Sequence, residues 1–353
     1  MPLDLPEEVC YTEKIGSLVY FPCKTQTGEV CAASAGTASA AIGGFIMMER
    51  QRSWYKQGAV LLNELSGTSF PGRIAALWYL GQSGFALKTK NLLVFFDPVL
   101  ADLRDPDGAT RRYYPAPFSP EEAARTGVSF VFCSHDHLDH LQPETVAPMA
   151  KTQPKLKIVI PAPSVRKAVS IGVPEGQIIA ARAEQPIRLP GGSICTPIPA
   201  AHETYEPDEN GDHRALSYLF RTSDGMKLFH AGDTVVTPEL VERLRREHGL
   251  DAALLPINGA DYKRRLRGVV GNMNSREAAD LAHDIDADLV IPCHYDMVFR
   301  NGEDPLRFAE YMQTYYPGKK FHILSLGERF LLTPRKLSRG KIRVLSGKNA
   351  EIW

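Results

Sequence analysis

The sequence predicts an α+β protein in which two β-sheets pack face to face and carry helices on their outer faces, a four-layer αββα sandwich. Three observations predict it. Apolar segments of strand length come first in a run over residues 74–98 and then alternate with helical patterns as far as residue 333. No linker or composition break divides residues 70–335. Hydrophobic residues make up 44% of the 353-residue chain and charged residues 23%, an ordinary balance for a protein with a buried core.

The elements follow in order. Residues 1–50 read as an N-terminal extension. They hold three of the six cysteines and the run AASAGTASAAIGG, which offers little to pack. Two readings stand for it: a segment upstream of a natural start at Met47 or Met48, or an arm, flexible or laid over the fold or a neighbouring subunit. ERQRSWYKQGAVLLNEL then has the pattern of an amphipathic helix. IAALWYL, GFALKTK and NLLVFFDP read as three strands broken by turns at GQSG and KN, and SFVFCSH as a buried fourth. Later strands are expected at KIVIP, SICTPIPA, LSYLFRT, MKLFHAG, AALLPIN, DLVIPCH, FHILS and RFLLT. Helices are expected at PETVAPMAK, PSVRKAVSIG, PELVERLRREHG, SREAADLAHDI and DPLRFAEYMQTYY. Thr237 with Pro238 and Asn274 with Glu277 have the residue types of helix N-termini. Residues 51–340 are therefore expected to form one domain, with 341–353 as a C-terminal tail.

Composition excludes several functions. Lys plus Arg equals Asp plus Glu, at 41 each, whereas a nucleic-acid binder usually carries a basic excess. No apolar run reaches the ~18 residues of a membrane span, and no basic stretch with an apolar run follows Met1 as in a secretion signal. The expectation is a cytoplasmic protein with a small-molecule substrate, no nucleic acid and no membrane partner. The cysteine spacings match no zinc ribbon or redox motif, and Cys133 and Cys293 lie in apolar runs where a thiol acts as a small core residue.

The chemistry concentrates in Ser134-His135-Asp136-His137-Leu138-Asp139-His140, directly after the strand SFVFC. Three imidazoles and two carboxylates within six residues suit divalent-metal binding far better than packing. His135 and His137, two apart on extended chain, point the same way and can grip one ion. A turn then brings Asp139 and His140 round to a second. His202, Asp233 and His294 each lie just past an apolar run, at positions that can converge on one edge of a sandwich. The expected arrangement is His135, His137 and His202 on the first ion, Asp139, His140 and His294 on the second, and Asp233 bridging. Three His and an Asp suit zinc. His230, three residues before Asp233, reads as structural, and His213 lies in a polar loop that could border the site.

HxHxDH, a later His, a Gly-Asp pair and a final His resemble the ligand order of the metallo-β-lactamase superfamily. The resemblance runs over about residues 74–335. It is nearer to the L-ascorbate-6-phosphate lactonase branch in Leu77-Trp78-Tyr79-Leu80-Gly81, Ser134-His135-Asp136-His137, Arg214-Ala215-Leu216-Ser217-Tyr218-Leu219-Phe220, His230-Ala231-Gly232-Asp233 and Ile291-Pro292-Cys293-His294-Tyr295-Asp296. His202 follows the general superfamily pattern and departs from the lactonase branch. The resemblance implies the αββα sandwich, a hydrolase using metal-activated hydroxide, manganese in the lactonase branch, and a homo-oligomer. It also implies that Asp97 orients ligand groups beneath the metal loop, against the plainer reading of a strand-end turn residue before Pro98. Asp139 would bind metal and serve the catalytic step, orienting the nucleophile or carrying a proton.

The expected substrate class is a small phosphorylated sugar acid such as L-ascorbate 6-phosphate, opened as a lactone or ester. Arg264, Arg265 and Arg267 lie in the run YKRRLR between two ligand-bearing segments and are candidate phosphate contacts, as an alternative to a charged surface loop. Arg111 and Arg112 form a second such candidate. Tyr295 and Asp296 are placed to line the pocket. The competing readings are a phosphodiesterase acting on lipid or nucleotide and a non-catalytic metal-binding scaffold.

Overall fold

The computed structural model describes residues 53–70, 73–104 and 108–335. The extension 1–50, the tail 341–353, the alternative starts at Met47 and Met48, and Cys10, Cys23 and Cys31 lie outside the described residues.

Two seven-stranded sheets make the scaffold. In the first, β1 (Ala75–Gly81), β2 (Gly84–Lys88) and β3 (Leu93–Phe96) form an antiparallel meander, and β4 (Phe130–Phe132), β5 (Lys157–Pro161) and β6 (Ile178–Ala181) add in parallel to β3. In the second, β7 (Ile187–Arg188), β8 (Ile194–Pro199), β9 (Leu216–Arg221) and β10 (Lys227–His230) are antiparallel neighbours. To β10 the strands β11 (Leu250–Pro256), β12 (Ala287–Cys293) and β13 (Lys320–Phe321) add in parallel. The last strand, β14 (Arg329–Leu332), returns to pair with β1.

Period-two alternation sorts the side chains into three apolar layers. Leu77, Tyr79, Phe85, Val94, Phe96 and Phe132 of the first sheet meet Tyr218, Phe220, Leu228, Leu254 and Ile291 of the second. The alternate residues Ala76, Trp78, Phe95, Val131 and Ile158 face outward. They pack on α1 (Gly58–Gly67), α2 (Pro120–Ala124), α3 (Pro143–Thr152) and α4 (Val165–Ser170). On the far side Leu219, Phe229, Ala253, Leu255 and Val290 pack on α5 (Pro238–Arg245), α7 (Ser275–Asp284) and α8 (Pro305–Tyr315). Both faces of each sheet are thus buried, which is why the central strands read as continuous apolar runs. Each fully buried Phe or Leu contributes about 1.5–3 kcal/mol.

Several elements differ from the sequence reading. The first helix begins at Gly58, and residues 53–57 are not helical. Their groups are engaged elsewhere: Tyr55 N–H donates to Leu326 O, Gly58 N–H to Pro117 O and the Trp54 indole to Pro115 O. The short α2 was not expected, although Ser119 and Glu122 form a complete capping box there. Two edge strands, β6 and β7, and a one-turn helix, α6 (Tyr262–Arg265), were also not expected. FHILS contributes only Phe321 to a strand. The N-termini expected at Thr237 and Asn274 are present, with side-chain caps on Leu240 N and on Arg276 N and Glu277 N. Cys133, Cys195 and Cys293 are buried free thiols.

Candidate metal centre

The parallel strands of both sheets end at the same edge, and the polar loops that follow them meet there. Cys133 N–H donates to Val159 O, and Leu216 N–H to Ser134 O, so the segment after β4 is held by both sheets. Ala201 N–H donates to Thr234 Oγ1 at 3.0 Å, and Val235 N–H to Ala201 O, tying the His202 loop to the Asp233 loop. Ile257 N–H donates to Cys293 O and His294 N–H to Gln82 O, which fixes the last ligand candidate between β11 and the first hairpin. Hydrogen bonds of the backbone thus cross-link segments that lie as many as 212 residues apart.

The seven residues expected to gather do so. Three groups have ligand atoms all within 4.8 Å of one another: His135, His137 and His202; His135, His140 and Asp233; and Asp139, His140 and His294. Asp233 lies between the outer groups. Its Oδ1 is 3.2 Å from His140 Nε2, and its Oδ2 is 3.2 Å from His294 Nε2 and 3.6 Å from His202 Nε2. Asp139 Oδ2 is 3.4 Å from His294 Nε2. Ligand bonds of about 2 Å put two atoms of one coordination sphere no more than about 4 Å apart, so each trio needs little movement to close on a cation.

The donor set fits such cations in a second respect. His140 Nε2 and Asp233 Oδ1 are buried and lie 3.2 Å apart without the alignment of a hydrogen bond, and neither has another hydrogen-bond partner. Buried polar atoms left this way cost free energy unless something joins them. His135 Nε2 lies 2.9 Å from Nδ1 of the exposed His137, so the two rings already stand side by side at the site.

The charges are strongly coupled. Burial disfavours protonation of His294, but Asp233 and Asp139 beside it prevail and raise its pKa to about 9. His140 is also raised well above the usual histidine range, because Asp233, Asp97 and Asp139 outweigh its burial. His135 and His202, with less carboxylate around them, are lowered chiefly by burial, His202 to about 4. Burial pushes the Asp139 and Asp233 carboxyls up, yet His140 and His294 hold both well below the usual range. Both carboxylates are therefore ionised and act as acceptors.

Asp97 is fully buried at the base of this cluster. It accepts from Ser134 N–H and Ser134 Oγ, both at 2.7 Å, and its Oδ2 is 2.8 Å from His140 Nδ1. The carboxylate therefore fixes the ring orientation of His140 and leaves Nε2 directed at Asp233, the arrangement by which carboxylates orient metal-binding histidines. His230 Nε2 is 2.9 Å from Ser83 O, and its ring stacks on Phe96 inside the core, a structural position.

The substrate candidates fare differently. Arg264 is buried and committed: Nε pairs with Asp261 Oδ2 at 2.5 Å and Nη1 donates to Asn301 Oδ1 at 3.2 Å. These bonds tie it to its own loop and to the Asn301 segment. Arg265 and Arg267 stay exposed; Arg265 Nε is 3.3 Å from Glu203 Oε1, beside His202, and Arg267 donates to Arg300 O. Tyr295 is 5% exposed, beside His294, with its ring stacked on Tyr79. Arg112 is buried and donates to the carbonyls of Tyr114, Val99 and Ala101, so it too is structural.

Sequence reasoning missed Gln82 and underrated Ser134. The Gln82 amide donates to Asp139 Oδ2 at 2.8 Å. Ser134 Oγ touches Asp97, His135 Nδ1 and His140 Nδ1. The only signal for Gln82 was a bulky polar residue between the glycines of GQSG, which is easily read as a turn. Four non-glycine residues at or beside the centre have positive φ: Gln82 (+56°), Asp97 (+40°), Glu203 (+63°) and His294 (+57°). Backbone strain of this kind gathers at functional sites.

A two-sheet sandwich with a His/Asp cluster at its strand ends defines a metal-dependent hydrolase class. The family described as Beta-lactamase superfamily domain matches residues 93–295, more than half of the chain, and the chain belongs to that family. Among curated proteins it is 29% identical over 265 residues to a UPF0173 metal-dependent hydrolase of Opitutus terrae, covering 71% of this chain and 97% of that one. It is 25% identical over 266 residues to a probable L-ascorbate-6-phosphate lactonase of Salmonella heidelberg, covering 67% of this chain and 73% of that one. The fold is similar to that of a metallo hydrolase from Ignicoccus hospitalis, with TM-score 0.56, 18% identity, and 74% and 100% of the two chains covered. It is also similar to an isothiocyanate hydrolase from Delia radicum gut bacteria, with TM-score 0.57, 16% identity, and 73% and 99% covered. No helix among the described residues is long and apolar enough to cross a membrane.

Proposed function

We propose that this chain is a two-metal lactonase or esterase acting on a small phosphorylated sugar acid in the cytoplasm. The single observation that carries the reading is the interlocking of the three His/Asp groups through His135 and His140, with Asp233 reaching towards both ends. His135, His137 and His202 would hold one ion, Asp139, His140 and His294 the other, and Asp233 would join them. Zinc and manganese both suit imidazole and carboxylate donors. When bound, two such ions supply a hydroxide nucleophile at neutral pH and polarise the substrate oxygen.

The chain's own residues prepare the site. Asp97 and Ser134 hold the His140 ring, and Gln82 holds Asp139. Asp139 and Asp233 stay ionised at neutral pH, so they are ready as ligands. Ring opening of a lactone asks little more of the protein, because the leaving alkoxide stays tethered. The likeness to probable L-ascorbate-6-phosphate lactonases supports a sugar-phosphate substrate. Exposed Arg265, which pairs with Glu203 beside His202, and exposed Arg267 are the candidate partners for its phosphate.

The test is turnover by purified protein loaded with Zn2+ or Mn2+, on sugar lactones with and without a phosphate and on bis(p-nitrophenyl) phosphate. Lactone opening that weakens when Arg265 and Arg267 are both replaced by Ala is the expected result. Turnover of the phosphodiester alone would replace this reading with a phosphodiesterase. Two bound ions with no turnover on either would replace it with a scaffold.

A further inference from the structure

Gln82 stands in a place where its backbone costs free energy. β1 and β2 are joined by the two-residue turn Gln82-Ser83, between the paired residues Gly81 and Gly84. The first turn residue has φ +56°, a conformation that favours glycine in such hairpins. A glutamine there bears strain, which persists only where the surroundings hold it. They do so on three sides. Gln82 N–H donates to Asp296 Oδ1 at 3.0 Å, and Gln82 O accepts from His294 N–H at 2.7 Å and from the Tyr79 hydroxyl at 3.1 Å. Gly81 is locked as well, since a Cβ there would lie 2.2 Å from the Tyr114 hydroxyl.

Held this way, the side chain is buried and directed into the candidate metal centre. Its Nε2 is 2.8 Å from Asp139 Oδ2 and 3.0 Å from His294 Nε2. An ionised carboxylate only accepts, so the amide group facing Asp139 is the N–H donor. Asp139 needs such a partner. It lies inside a turn in which His140 and Leu141 N–H bond back to His137 O, and its side chain is the least buried of the Asp139, His140 and His294 trio. His140 has Asp97 to orient it, and His294 has its backbone bond to Gln82. Asp139 has the amide of Gln82.

We infer that Gln82 is a positioning residue for the second metal position, a strained turn glutamine whose amide aims the Asp139 carboxylate at the ion shared with His140 and His294. The inference rests on the two-metal reading above and deepens it. It makes the β1–β2 turn, on the sheet opposite Asp233 and His294, a part of the metal centre. It also predicts that the two positions differ in their dependence on this residue, because His135, His137 and His202 make no hydrogen bond to it.

The test is calorimetric titration of metal-free protein with Zn2+, read as two binding steps. In Gln82→Ala one step is expected to weaken about 10–100-fold, the range for a group that orients a ligand, while the other stays within about twofold. Gln82→Gly removes the same amide and relieves the backbone, so equal weakening with an unchanged or higher melting temperature assigns the effect to the amide. In a His202→Ala background, which takes a ligand from the first position only, adding Gln82→Ala should weaken the step that remains. Two unchanged steps in both Gln82 variants would overturn the inference and leave the two-metal reading intact. A wild-type protein that binds no Zn2+ would overturn both.

Discussion

Asp233 is the residue on which the candidate centre depends most, and Asp233→Asn tests it with almost no change in volume. The carboxylate lies 3.2 Å from both His140 Nε2 and His294 Nε2 and 3.6 Å from His202 Nε2. Two effects follow. In metal-free protein burial disfavours the protonated His294 ring, and Asp233 is the largest of the influences that favour it, with Asp139 beside it. Without the carboxylate the ring holds its proton less firmly, so the variant should be less stable than wild type in chelator at pH 7. In loaded protein the group proposed to join the two positions is lost. Turnover should fall more than about 100-fold, beyond the cost of a group one step removed from the ion. The assays are elemental analysis after dialysis against dilute Zn2+, urea unfolding with and without chelator, and lactone hydrolysis. Full occupancy of both positions with normal turnover in Asp233→Asn would refute the joining role.

Three further outcomes are expected. Metal-free protein should lose stability as pH rises: a histidine raised to about 9 contributes fully below its unfolded value near 6.5, and the contribution is lost as pH passes through about 9. Melting in chelator at pH 6 and pH 10 should show the drop, which bound metal should abolish; equal melting temperatures in chelator would contradict it. Asp97→Asn should weaken metal binding about 10–100-fold in titrations by loosening His140 and Ser134, with the Zn2+ stoichiometry kept. Gly232→Ala should lower both stability and metal affinity, because Gly232 has φ +59° and an added Cβ would lie 2.5 Å from the Cβ of Ser134. A melting curve and titration matching wild type would show that the loop has room to yield.

Much of the architecture is legible in the sequence because buried strands must be apolar and the helices between them must be amphipathic. β1, β4, β11 and β12 read as apolar runs since each is covered on both faces. The edge strands β6 and β7 and the one-turn α6 escaped notice, because short or half-exposed segments carry too few residues to reveal a period. The segment before Gly58 misled for another reason: its amphipathic pattern was real, but the Tyr55 N–H and the Trp54 indole bond to Leu326 O and Pro115 O outside it.

The site divides along the same line. HxHxDH carries its meaning locally, since the alternation of an extended chain and one turn already direct those side chains, and His202, Asp233 and His294 each announce themselves as a polar residue at the end of an apolar strand. Local chain geometry determined that much. Tertiary structure alone decided which basic and polar side chains are free to act. Arg264 spends its charge on Asp261, Tyr295 folds onto Tyr79, and Gln82 reaches Asp139 from a hairpin 57 residues upstream. A side chain's partner across a sandwich depends on how two sheets meet, and that relation is set by the packing of the whole core.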